Sequence, residues 1–593
     1  MDLDFVLEKA TIVDGSGGKP YQADIGLKGP AIAAVGDLGK SRAGERRDVS
    51  GHVVCPGFID AHSHADLAFF RKNHDNMLTP LVEQGITTFV GGNCGMALAP
   101  VTEENRDDIK TYLEVFTQMD FDRDIKWGTM AGYMDYVDRQ GLLLNAVQLT
   151  PHGVLRISAL GMTDKPADEK AVGMMRKLLA ESLDAGAFGL STGLQYAPGL
   201  HSDTRELSLV SAPLSDHNAV FASHLRSYTG SCLNNAIDEV ARVAGDNNIR
   251  GQISHIFSVP WTGSLLHPLT LKIIKWLARH GDAAVKWIPD ALLDVEMNRI
   301  LKKVSDVRQA GIDMGMDIMP TTTGFTHLLA FFPPWSLTGD RQAVLERLRN
   351  RETRREIRKD IEQGKPVWPH RGRNTWSLNL IRQMGWDALM VMAVNSEKNK
   401  SLEGRRFTEI AEERHKHPFD VMCDLLLEED GQVLAFETMS DPDDVFTERY
   451  TFPGIKDPST MISTDTILLG MGRPSYLFYG CYPKFINRYV YQLNLLDLPT
   501  AVAKCTSVPA DHFDIKYRGR IKEGYYADLL VMDAANFRTR ANFVDPRHGA
   551  EGLDMVFING CRVVENGRRI NKELPGKMLR KNNQPAPAVQ SDN

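Results

Sequence analysis

Along the middle of the chain, short apolar runs alternate with longer segments whose apolar positions recur at helical spacing. The runs are Phe58 to His64, Thr87 to Val90, Leu144 to Leu149, Phe188 to Ser191, Val220 to His224, Gln252 to His255, Met316 to Met319 and Met461 to Asp465. Near-continuous apolar runs of this length suit strands buried on both faces, and the segments between them are long enough for crossover helices. The pattern predicts an α/β fold, a parallel (β/α)8 TIM barrel. One helix is well marked: after Asp164 and Pro166, the residues Val172, Met175, Leu179 and Leu183 fall on one face, and Gly186 can end it.

Both ends of the chain follow a different grammar. Phe5-Val6-Leu7, Thr11-Ile12-Val13, Asp24 to Leu27 and Ile32 to Val35 are short strands punctuated by Gly and Asp, with a turn at Lys28-Gly29-Pro30. Ala527 to Met532 and Val556 to Val564 repeat it, with Asn559-Gly560 as a hairpin signal. We therefore expect residues 1–56 and 508–575 to form one small discontinuous β-sandwich domain beside a hydrolase barrel over 57–507. The stretch from about 324 to 439 is too long for one crossover. It holds Phe331 to Trp335, a charged helical region from Arg341 to Gln363 and a helix around Phe419 to Glu429, and is expected to be a lid-like insertion after the seventh strand. Residues 576–593 are polar and expected to be a flexible tail.

Composition narrows the class of function. With 593 residues, 42% hydrophobic and 24% charged, the chain can bury a large core. A formal net charge of -7 without a long Lys/Arg block argues against nucleic acid and anionic membrane as partners. The start Met1-Asp2-Leu3-Asp4 lacks a basic leader, and no apolar run reaches membrane-spanning length, so a cytoplasmic location is expected. Seven scattered cysteines argue against a disulfide framework.

Side chains at the C-terminal strand ends of a parallel barrel converge on one mouth. His62 and His64 stand at the end of the first run; if the strand stays extended, residues two apart leave by the same face. Cys94 lies just past the second, His224 and His255 end the fifth and sixth, and Asp465 ends the eighth. Imidazole, thiolate and carboxylate suit zinc, which with three protein ligands leaves a position for water and lowers its pKa to about 7. Asp465 could accept the water's proton and pass it to a departing amine.

The sequence resembles the amidohydrolase superfamily, and within it the N-acyl-D-amino-acid deacylase (D-aminoacylase) family, from about residue 4 to 580. The likeness rests on Gly57 to His64, Glu83 to Thr88, Gly92-Asn93-Cys94-Gly95 continuing to Pro100, Gly189 to Gly199, His224-Leu225-Arg226, Ile253-Ser254-His255 and Ser463-Thr464-Asp465. The Asn-Cys-Gly and Ser-Thr-Gly-Leu segments are more specific than His-x-His. The resemblance implies a barrel with a β-sandwich from both termini and a lid. It also implies a tight zinc on Cys94, His224 and His255, a weaker second metal on His62 and His64, a bridging Cys94 thiolate, and Asp465 as general acid/base.

The chain departs from that family where the substrate would be held. Phe257 stands where the family commonly has Lys, Met319-Pro320-Thr321 where it has Tyr-Pro-Tyr, and Ser475-Tyr476-Leu477 where it has His-Pro-Arg. Lys, Tyr and Arg at those places hold a carboxylate, which Phe and Leu cannot do. Arg226 and Arg473 are candidate replacements, and Tyr196 joins Phe257, Met319 and Leu477 as a candidate substrate contact. Phe257, Trp261, Phe325, Phe331, Phe332, Trp335 and Tyr476 could line a more apolar pocket or be ordinary core. The expected partner is thus a small-molecule amide cut by a zinc hydrolase. A cyclic amide, ester or lactone offers the same kind of carbonyl, and a barrel without catalysis that acts as a binding protein is the reading from another class.

Overall fold

The computed structural model describes residues 2–117, 124–370, 372–467, 470 and 472–588. Strands from the two ends of the chain share one mixed sheet. Its order is Arg568–Arg569, Cys561–Glu565, Leu553–Ile558, Leu529–Met532, Val53–Pro56, Asp2–Ile12, Tyr21–Lys28 and Ala31–Gly36, with Arg42–Asp48 also paired to Asp2–Ile12. The two short strands expected at Phe5 and Thr11 are one strand with a bulge between Leu7 and Ala10. There Lys9 takes a φ of 57° and its N–H donates to Asp24 Oδ1 (2.8 Å), which breaks the alternation. Asn559 and Gly560 have φ of 49° and 78°, the paired positive values of a tight hairpin turn.

The middle of the chain forms parallel sheets. One holds six strands, in the order Thr460–Ile462, Met314–Ile318, Arg250–Ile253, Val220–His224, Gly189–Gly193 and Thr150–Pro151; the other holds Phe58–Asp60, Ile86–Gly91 and Asn145–Gln148. Only Leu149 separates Asn145–Gln148 from Thr150–Pro151, and its N–H donates to Gly91 O (3.0 Å). At the opposite edges Asp465 N–H donates to His62 O and His64 N–H to Thr466 O, both at 2.9 Å. The helix Glu169–Asp184 buries Val172, Met175, Leu179 and Leu183, and Asp168 caps it by accepting from Ala171 N–H (2.8 Å).

Residues after the strand Met314–Ile318 form a unit with its own apolar core around Leu345, Phe407, Phe419 and Leu425. The charged region Arg341–Gln363 is two helices, Arg341–Arg349 and Arg351–Gln363. Asn350 divides them, its side chain accepting from Glu352 and Thr353 N–H at 3.0 Å. A helix follows at Pro418–Glu428. An antiparallel sheet of Thr323–His327, Leu434–Thr438 and Leu389–Ala393 was not anticipated, because Thr323–His327 and Leu434–Thr438 pair residues more than a hundred positions apart.

The tail expected to be flexible over 576–593 is described as far as 588, where it lies against the strand Asn145–Gln148; residues 589–593 lie outside the described residues. Ala146 N–H donates to Lys577 O (2.9 Å), Leu579 N–H to Ala146 O (2.8 Å), and Arg580 pairs with Asp135 and Asp138 (2.8 Å each). Backbone pairing and ion pairs hold it, and neither leaves an apolar period in the sequence.

Candidate active site

The side chains expected at one mouth do meet there, although by different local geometry. The strand carrying the histidine pair stops at Asp60, and His62 lies in a bend beyond it, so the two rings are not set by an extended strand. The bend is held from below: the Asp60 carboxylate accepts from Thr464 N–H (3.0 Å), Thr464 Oγ1 (2.5 Å) and His62 N–H (3.4 Å). Cys94, His255 and Asp465 each occupy the left-handed region, with φ of 52°, 34° and 52°. Such backbone costs roughly 1–2 kcal/mol per non-glycine residue and clusters at functional sites. For Cys94 the close packing is visible, since a Cβ on Gly193 would lie 2.1 Å from Cys94 O and one on Gly95 2.9 Å from Gly193 N. The Asn-Cys-Gly and Ser-Thr-Gly segments therefore press backbone to backbone, which only glycine permits.

At the centre, Cys94 Sγ lies 3.4 Å from His62 Nε2, 3.6 Å from His224 Nδ1 and 3.7 Å from His255 Nε2. The facing nitrogens of His224 and His255 are 3.0 Å apart. Asp465 Oδ1 is 3.4 Å from His62 Nε2 and 3.3 Å from His64 Nε2. Two overlapping triads result, His62-His64-Cys94 and Cys94-His224-His255, all buried. Bonds of about 2.0–2.3 Å to a tetrahedral zinc would set sulfur and nitrogen corners about 3.5 Å apart, as these are. Ring nitrogens pointing at one another and at one sulfur suit a shared cation better than mutual hydrogen bonds.

The electrostatics agree. Burial raises the Cys94 thiol, but the surrounding His62, His224 and His255 outweigh it and bring the group well below its ordinary range, as thiolate. Burial likewise raises Asp465, and His62 and His64 more than reverse this, so the carboxylate is ionised. Behind the rings stands Asp317, which the sequence reading missed. It accepts from His255 N–H (2.9 Å), Ser463 Oγ (2.7 Å) and Gln252 Nε2 (2.7 Å), and its Oδ2 is 3.8 Å from His62 Nδ1. An Asp inside the apolar strand Met314–Ile318 was the available signal. Tyr228 plays a similar part, its hydroxyl 3.1 Å from His255 Nδ1.

Above the centre opens a cavity of about 170 Å³ whose lining includes His64, Cys94, His224, His255 and Asp465. Tyr196, Phe257 and Met319 face it, as does Phe325. Phe257 is stacked on Tyr228 (4.2 Å between centroids), and Tyr196 accepts from Thr326 Oγ1 (3.1 Å). Arg226, Arg473 and Leu477, expected to touch substrate, are not in that lining. Arg226 is buried in a two-point pair with Glu239 (both 3.1 Å) and donates to Leu200 O. Arg473 packs over the Phe543 ring and against Gly404, and Leu477 is core at a helix start. Of the other aromatics, Phe331 and Phe332 belong to the insertion's core, Trp335 donates to Asp360 (2.7 Å), Trp261 packs at a tilt against His267, and Tyr476 donates to Asp443 (2.6 Å). No Lys or Arg lines the cavity among the described residues.

The amidohydrolase family profile matches residues 454–563. D-aminoacylase of Alcaligenes xylosoxydans xylosoxydans is 28% identical over 562 residues, covering 94% of each chain. The N-acyl-D-glutamate deacylase of the same organism is 27% identical over 98% of this chain and 97% of its own. A solved D-aminoacylase structure, concerned with the functional role of its binuclear metal center, superposes with a TM-score of 0.72 at 28% identity, covering 98% of this chain and all of that one.

Proposed function

Taking the chain as a relative of the D-aminoacylases within the amidohydrolase superfamily, we propose that it hydrolyses an N-acyl amide bond of a small molecule with the help of zinc. The two parallel sheets are read as one closed (β/α)8 barrel over about residues 57–507, and the sheet shared by the termini as the β-sandwich of residues 1–56 and 508–575. The unit at about 324–439 is read as a lid. The observation that carries the reading is the meeting of Cys94, His224, His255, His62, His64 and Asp465 at one set of strand ends.

Cys94, His224 and His255 would hold the tighter metal, and His62 and His64, sharing Cys94, a weaker second one. Bound there, zinc supplies a Lewis acid for the carbonyl and makes water a better nucleophile at neutral pH. Asp465, ionised at rest, takes the proton released as water adds to the acyl carbon. It returns that proton to the nitrogen as the carbon–nitrogen bond breaks, giving an acid and an amine. Asp317 and Tyr228 orient the rings without touching substrate.

The wall of the cavity sets the preference. A carboxylate in a water-poor pocket needs a cation or several donors, and leaving it unpaired costs several kcal/mol. Phe257, Met319 and Phe325 provide neither, so the preferred substrate is an amide with an aromatic or lipophilic group and no free acid beside the scissile bond. The test is kcat/KM on matched pairs, free acid against neutral amide or ester, with zinc content measured on the same preparation. Turnover of N-acetyl-D-methionine or N-acetyl-D-leucine at about 10⁴ M⁻¹s⁻¹ or above would overturn the preference. A zinc-loaded protein that cleaves lactones or cyclic amides, and no open amide, would overturn the reaction.

A further inference from the structure

One ionisable side chain on the wall is used by nothing described so far. Glu437 lines the cavity from the strand Leu434–Thr438, and its Oε2 is closed off from solvent with no hydrogen-bond partner among the described residues. It sits directly opposite Gly324 across the antiparallel pair, and a Cβ on Gly324 would come within 2.7 Å of Glu437 Oε1. The missing side chain at 324 is thus the space in which the carboxyl lies. The lining residues next to it in sequence and on the facing strand, Thr323, Phe325, Thr326, Thr438 and Met439, bring no positive charge, and the charge of His255 opposes the effect of burial on it without outweighing it. The remaining carboxylates of the lining are spoken for: Asp465 faces His62 and His64, and Glu296 pairs with Arg299 at 2.8 Å.

A carboxylate with one oxygen shut off from water and left without a partner is costly, and here desolvation pushes the group up to about 7. A ligand that brings a donor, above all a cationic one, relieves that cost and gains a charge-assisted hydrogen bond. Resting on the amide-hydrolase reading and adding to it, we propose that Glu437 and the gap over Gly324 form a subsite for a cationic nitrogen, an ammonium or guanidinium, on the substrate. The same carboxyl repels a free acid, so the wall has the opposite charge preference from a carboxylate clamp.

The test is binding to the metal-loaded protein by calorimetry, with benzylguanidinium against N-benzylurea, two probes of one shape that differ in charge. The expected result is about tenfold or greater preference for the guanidinium in the wild type, by charge-assisted hydrogen bonding. That preference should fall to about one in Glu437→Leu and Glu437→Gln, with urea binding retained. Gly324→Ala, which leaves the carboxyl in the chain but crowds its seat, should lower it as well, and serves if Glu437→Leu fails to fold. Equal binding of both probes by the wild type, or a preference untouched by all three substitutions, would overturn the subsite. Turnover of N-benzylacetamide is a separate arm: its failure together with all other open amides counts against the reaction, while the binding ratio still decides the subsite.

Discussion

At the floor of the cavity Cys94 lies within 3.7 Å of three histidine rings and Asp465 within 3.4 Å of two, whereas the wall contributed by Phe257, Met319, Phe325 and Glu437 has, among the described residues, no such network and one carboxylate oxygen, Glu437 Oε2, without a hydrogen-bond partner. The floor is fixed by strand ends and by backbone held in costly conformations. The wall comes from residues just past two strand ends, the first residues of the insertion and a strand over a hundred residues later. Attack on a carbonyl needs the first arrangement whatever the substrate, and selectivity can change through the second while the first stays in place. The floor should therefore answer to substitution by losing the reaction, and the wall by exchanging one substrate for another.

The largest effect belongs to Cys94. If its thiolate is shared between the two metal positions, Cys94→Ala should remove most of the zinc, about one per chain in the wild type by the three-ligand logic, and nearly all activity. Metal analysis by mass spectrometry decides it: a variant with full zinc and full turnover would break the assignment of the floor.

Asp465 separates the proton from the metal. Asp465→Asn keeps size and shape, and turnover should fall about 10²- to 10⁴-fold while zinc content and thermal stability stay near wild type. Parallel loss of zinc would make Asp465 chiefly a ligand. That these side chains meet in one place was legible from sequence. His62, His64, Cys94, His224, His255 and Asp465 could be picked out because few residue types bind metal and because each falls just beyond an apolar run. The left-handed turns at Cys94, His255 and Asp465 were not legible, since they depend on contacts such as Asp465 N–H to His62 O that join residues about four hundred positions apart. Arg226 and Arg473 were misplaced for the same reason. A motif gives a position in the chain, but whether a guanidinium turns to the cavity or to Glu239 is decided by a helix packed behind it. The parallel strands were located to within a few residues, and the insertion's sheet, built from distant pairings, was not seen.

Phe257→Lys probes the wall alone. It places an ammonium where the cavity has none, and the ratio of kcat/KM for a free acid to that for its neutral analogue should rise by about tenfold, the worth of one charge-assisted contact in a partly wet site. The absolute rate on the neutral amide should change less than the ratio, because Phe257 touches Tyr228 and not the triads directly. An unchanged ratio would mean that charge at this place on the wall does not select.

The smallest effect comes from His327, which lines a smaller neighbouring cavity and whose ring packs against two residues of the wall, Tyr196 (5.1 Å) and Phe116 (5.9 Å). Burial, with the nearby charge of His224, pushes it down to about 4 from an ordinary 6.5. Between those values the unfolded chain binds a proton that the folded one does not. The stability it contributes is therefore complete above about pH 6.5 and is lost as the pH falls through about 4. Because the residue is only half-buried, the loss is on the order of 1 kcal/mol, or about 1–2 °C in Tm. His327→Phe keeps the ring contacts and removes the proton, so the drop in Tm from pH 7 to pH 5 should be smaller in the variant than in the wild type. Protonation of the floor histidines and any loss of zinc affect both proteins alike and cancel in the difference. If the two curves run parallel, His327 is as well solvated as in the unfolded chain, and the smaller cavity behind the wall is wetter than its lining of Val115, Leu329 and Leu337 implies.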